Sequence, residues 1–70
     1  MNEQIKNKIE KLKAARINAI EAEGRKEYSK SSAYKAVAAR TFNTLISEMI
    51  SSGLTENQAI TELNKAIYHN

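Results

Sequence analysis

The chain has no cysteine, no proline, no tryptophan and no aspartate, a single histidine and only two glycines in 70 residues. Without cysteine, neither a disulfide nor a thiolate-held zinc ion is available. The lone histidine, His69, is the penultimate residue; with Glu62 or Lys65 it is a formal metal or acid–base candidate, but one histidine does not make a site. With no cysteine or aspartate beside it, the chain offers no catalytic constellation and is read as a non-enzyme without cofactor or metal. No apolar stretch approaches the ~20 residues of a membrane helix or the 7–15 of a signal-peptide core. That pattern and the missing cysteines point to a cytoplasmic protein with no membrane partner.

Scarcity of turn formers leaves a composition rich in Ala, Ile, Leu, Lys and Glu, which suits helices. Apolar residues recur at Ile5, Ile9, Leu12, Ala19 and Ile20, within one stripe of a helix running from Asn2 to about Ala22. Heptad spacing lasts about two repeats there, too few for a long coiled coil. A break is expected at Gly24, with Ser29, Ser31 or Ser32 capping a second helix from about Ser32 to Ser52. Tyr34, Val37, Ala38, Thr41, Phe42, Leu45, Ile46 and Met49 form its inner face, and Ala36, Arg40, Asn43 and Ser47 its outer one. Phe42, the only phenylalanine, is expected on that inner face beside Tyr34, Leu45 and Met49.

Punctuation is clearest from Ser51 to Gln58. Gly53 suits a left-handed helix end, Leu54 can pack back on Met49, and Thr55 with Gln58 makes a capping box. A third helix from Glu56 to about Tyr68 then carries Ala59, Ile60, Leu63, Ala66 and Ile67 on one face. The fold class is all-α: one domain over residues 1–70, a long first helix followed by a helix-turn-helix hairpin. At this length burial barely offsets ordering entropy, so self-association into a homo-oligomer is expected.

Charge is uneven. Ten of the eleven basic residues and five of the eight glutamates lie in residues 1–40, giving 10 − 5 = +5 there; the remainder gives 1 − 3 = −2, for the total of +3. Two functional readings follow. The first is a non-catalytic interaction protein that regulates or inhibits a larger protein by docking a helical face. Small size without an active site is typical of phage or plasmid accessory proteins, an association and not a physical inference. The second is a small nucleic-acid-binding regulator that uses residues 25–40, where Tyr28 and Tyr34 interleave with Arg25, Lys26, Lys30 and Lys35. Against nucleic acid stand Glu3, Glu10 and Glu21 on the first helix, and Glu56 and Glu62 against the single Lys65 on the third.

One local rule is broken: Arg16 projects from the apolar stripe of the first helix, with Glu23 two turns further on. Arg16 either lays its methylenes on the core and snorkels its guanidinium to water or pairs with Glu23 or Glu27 of a neighbouring helix or subunit, or it waits at an interface for a carboxylate or phosphate of a partner. The residues expected to touch a partner are therefore Arg16, Glu23, Arg25, Lys26, Tyr28, Lys30, Lys35 and Arg40.

Overall fold

A computed structural model describes residues 3–68, so Asn2 and His69 lie outside the described residues. Three helices follow one another: α1 (Glu3–Gly24), α2 (Tyr28–Ser51) and α3 (Glu56–Tyr68). No strand occurs among the described residues, and the chain is a small all-α three-helix assembly.

The end of α2 is built as its residues demand. Gly53 takes φ +113°, the Leu54 N–H donates to the Met49 carbonyl at 3.2 Å, and the Gly53 N–H donates to Ile50 at 3.0 Å. These two bonds satisfy carbonyls that a helix end leaves unpaired. The chain then re-enters a helix through a reciprocal box: the Gln58 N–H donates to Thr55 Oγ1 at 3.1 Å and the Thr55 N–H to Gln58 Oε1 at 2.9 Å.

The first turn departs from expectation. α1 continues through Gly24, and the left-handed residue is Lys26, at φ 62°. Its N–H donates to Glu23 and that of Glu27 to Ala22, at 3.0 and 2.8 Å, the same bonding pattern as at Gly53. Because the chain reverses so soon, α2 starts at Tyr28, four residues before the expected Ser32. Ser29, Ser31 and Ser32 are therefore helical rather than caps, and Glu27 precedes the helix without a side-chain cap bond. A lysine in the left-handed region carries a steric cost that glycine avoids. Lys26→Gly should stabilise the fold by about 1 kcal/mol, a rise of about 4–8 °C in Tm at this size. The reciprocal change, Gly53→Ala, should cost about 1 kcal/mol or more, because open space around Gly53 does not relieve its backbone. Thermal unfolding followed by circular dichroism checks both, and an opposite sign at either position would contradict the assigned turn.

The core has two parts. Ile5, Ile9 and Leu12 of α1, Leu45 and Met49 of α2, and Ala59, Leu63 and Ile67 of α3 form one buried cluster. Ala15, Ala19, Ala22 and Ser31 are also buried, but on a seam between α1 and α2 outside that cluster. The difference follows from length. At ~1.5 Å per residue, the 13 residues of α3 span little more than half of the 22 and 24 residues of α1 and α2. Among the described residues, α3 closes over the half of the hairpin distant from the Lys26 turn, and α1 and α2 alone form the other half.

The seam corrects two readings of α1. Ile20 is 64% exposed, while Ala15 and Ala22 are buried. Burial at Ile5, Leu12 and Ala19, with Ala15 and Ala22 three residues after the latter two, keeps a seven-residue spacing through the helix. The stripe thus rotates away from Ile20, toward small residues that a hydropathy pattern hardly registers. Phe42 is half-buried and packs against the cluster from its edge; the fully enclosed large side chains are Leu12, Leu45 and Leu63. The face of α3 is as expected, with Ala59, Leu63 and Ile67 buried and Ile60 and Ala66 half-buried. Two cross-helix ion pairs, Lys8 with Glu48 and Glu23 with Lys35, straddle the turn in the same antiparallel register.

Candidate functional site

The eight residues expected to touch a partner do not meet at one place. Arg25 and Lys30 both pair with Glu27 at the first turn, Lys30 Nζ at 2.9 Å, and Lys26 is the turn's left-handed residue. Hydrogen bonds to the Glu27 carboxylate, from Arg25 first and then Lys30, hold its carboxyl below the usual carboxylate range, and the same carboxylate raises the Arg25 guanidinium. Arg25 thus bonds Glu27 rather than Glu21 one turn back, and these charges close the turn. Tyr28, 64% exposed, begins α2 beside them.

Arg16 and Lys35 border a groove of about 290 Å³ floored by Leu12, Ala38, Ala39, Phe42 and Ile67 and closed at one end by Tyr68. The groove lies beside the last described turn of α3, which carries Ile67 and Tyr68. Arg16 is half-buried, and its guanidinium carbon sits 4.5 Å from the centroid of the Tyr68 ring. Within the chain the carboxylates of Glu23 and Glu27 are taken, by Lys35 at 3.5 Å and by Arg25 and Lys30, and Arg16 stacks on the ring instead of pairing with either. A cation over a ring is worth about 0.5–1 kcal/mol at an exposed site, and the planar fork of Arg16 keeps donors free to meet an incoming acceptor. Tyr68 itself is 63% exposed, so one face of the stack is open.

Arg40 lies elsewhere, in a second groove of about 410 Å³ between α1 and α2, lined by Lys8, Lys11, Val37, Arg40, Thr41 and Thr44. At ~100° per residue, the α2 residues of the two grooves point about 160° apart, on opposite sides of the hairpin. Lys8, Lys11, Thr41 and Thr44 were not among the residues expected to touch a partner. Their signal was the i,i+3 spacing of each pair, but only the register of the hairpin shows that the two pairs face each other.

Among the described residues, no group of three His, Cys or Glu side chains is placed to hold a metal ion, and no helix is long and apolar enough to cross a membrane. Comparison with protein-family models, with curated proteins and with solved structures finds no match to this chain.

Proposed function

We propose that the chain acts by binding rather than by catalysis, as a small regulator that docks the open groove of its α1/α2 hairpin onto a helical segment of a larger protein. The observation that supports this most is the groove itself, in which Leu12, Ala38, Ala39 and Phe42 lie between Arg16 and Lys35 beside the last described turn of α3. A helix laid there continues the line of α3 and buries the apolar floor, the helix-in-groove mode of recognition. Its chemistry is set by the rim. Lys35 is paired with Glu23, but Arg16 has no carboxylate beside it and the chain carries +3 overall, so the occupant is an amphipathic helix with an apolar anchor and a carboxylate one turn away. Aromatic and arginine side chains are the residues on which binding energy concentrates once an occupant covers them and excludes water.

Selection of the intact protein against a random helical peptide library tests this. Enriched peptides should carry an apolar residue with Asp or Glu three or four positions away, and their amide-shift footprint should fall on Arg16, Ala38, Ala39, Phe42 and Ile67. Arg16→Met keeps the aliphatic stem and removes the charge. It should leave the helical circular dichroism intact and weaken the selected peptides more than tenfold, or about 1.4 kcal/mol. Unchanged affinity in the folded variant, or peptides without acidic bias, would refute the docking face. Light scattering at ~100 µM, well above typical dimer dissociation constants, decides on the occupant. A dimer that disappears in Arg16→Met would put a second copy in the groove and overturn a foreign partner.

A further inference from the structure

We infer that the second groove, opposite the first, is a binding site for the phosphodiester backbone of nucleic acid, gripped between Lys11 of α1 and Arg40 of α2.

Charge compensation singles this groove out. Most cations of the chain have an anion beside them: Lys13 with Glu10, Lys30 and Arg25 with Glu27, Lys35 with Glu23, and Lys65 with Glu62. Arg16 has the Tyr68 ring. Lys11 and Arg40 have neither among the described residues, and both line the same concavity from opposing helices. The lining includes no carboxylate, and Lys8 in it is paired with Glu48. Uncompensated like charges facing one another across a groove repel, an arrangement that an incoming anion relieves.

The other lining groups decide the kind of anion. Thr41 and Thr44 sit three residues apart on one face of α2 and supply hydroxyl donors, and Val37 is the only apolar contributor. Cations on two sides with hydroxyls between them suit a group that offers oxygens in several directions, as a phosphate does and a planar carboxylate does not. No aromatic ring lines the groove, so nothing there stacks on a base, and the contact reads backbone and not sequence. The location also differs from the stretch 25–40 read from the sequence. Of that stretch only Val37 and Arg40 reach this groove, while Arg25 and Lys30 are occupied by Glu27.

Amide-shift titration of the labelled full chain with a short mixed-sequence DNA duplex, at 50 and 200 mM salt, tests the assignment. Shifts are expected at Lys8, Lys11, Val37, Arg40, Thr41 and Thr44. Two released counterions give a log–log salt slope of about −1.8, which makes binding about twelvefold weaker at the higher salt. Lys11→Gln and Arg40→Gln, both at exposed positions, should each reduce that slope by about 1. Glu48→Gln frees Lys8 and should steepen it to about −2.7. Arg16→Met, on the opposite side, should leave DNA binding unchanged. No shift at 50 mM salt, a footprint on another surface, or slopes unmoved by Lys11→Gln and Arg40→Gln would overturn the site. Inorganic phosphate that shifts the same amides as strongly as an equal concentration of duplex phosphate would reduce the groove to a small-anion site and overturn the nucleic-acid assignment.

Discussion

Leu45→Ala is expected to cost about 3 kcal/mol, about a third or more of the stability of the domain. Leu45 is wholly enclosed and belongs to the cluster shared by all three helices, so its removal leaves a cavity with walls on three sides. Leucine-to-alanine changes in such places cost about 2.7–5 kcal/mol. A 70-residue chain at ~0.05–0.15 kcal/mol per residue has only about 4–10 kcal/mol in total. Phe42→Ala should be milder despite the larger side chain, because Phe42 lies half-exposed at the groove edge and its neighbours do not enclose the vacated space. Urea unfolding of both variants checks the ranking; a Phe42→Ala loss larger than that of Leu45→Ala would mean that the core is centred elsewhere.

Ser31→Ala should act in the opposite direction, stabilising by about 1–2 kcal/mol. Ser31 is 3% exposed, and its hydroxyl finds no hydrogen-bond partner among the described residues. A buried polar group without a partner costs about 1–3 kcal/mol in lost hydration. Alanine has nearly the same volume, matches Ala15, Ala19 and Ala22 on the facing helix, and is the better helix former. At this size the gain appears as about 4–8 °C in Tm for each kcal/mol. A lowered Tm would show that the hydroxyl bonds a group such as the Glu27 carbonyl, one turn back.

These two residues mark what a sequence shows and what it hides. Leu45 is legible because large apolar residues at helical spacing announce a buried face, and all of α3 is legible for the same reason together with its Thr55 and Gln58 box. The seam is not. Ala15, Ala22 and Ser31 carry too little hydropathy to stand out, and Ile20 carries enough to mislead. The first turn was hidden because its left-handed residue is a lysine, which has no compositional signature, while Gly24 two residues earlier attracts the break. At the candidate sites, Arg16 was visible as a charge in an apolar stripe, but its stacking on Tyr68 joins residues 52 positions apart. Lys11 and Arg40 share a groove only through the antiparallel register, which no local pattern encodes. Their separation from Arg16 and Lys35 turns one expected basic surface into two grooves on opposite sides.

Because α3 covers only one half of the hairpin, the molecule should not open as a single cooperative unit. Amide protons of residues 5–12 and 42–49 are held by three helices and exchange with solvent only when the whole fold opens. Those of residues 15–24 and 31–35 are held by the alanine seam with little beyond the Glu23–Lys35 pair and the Arg16–Tyr68 stack, and exchange through a cheaper local opening. A helix lying in the Arg16 groove would rest on part of that half and slow its exchange, so occupancy is readable as protection at amides that touch no ligand.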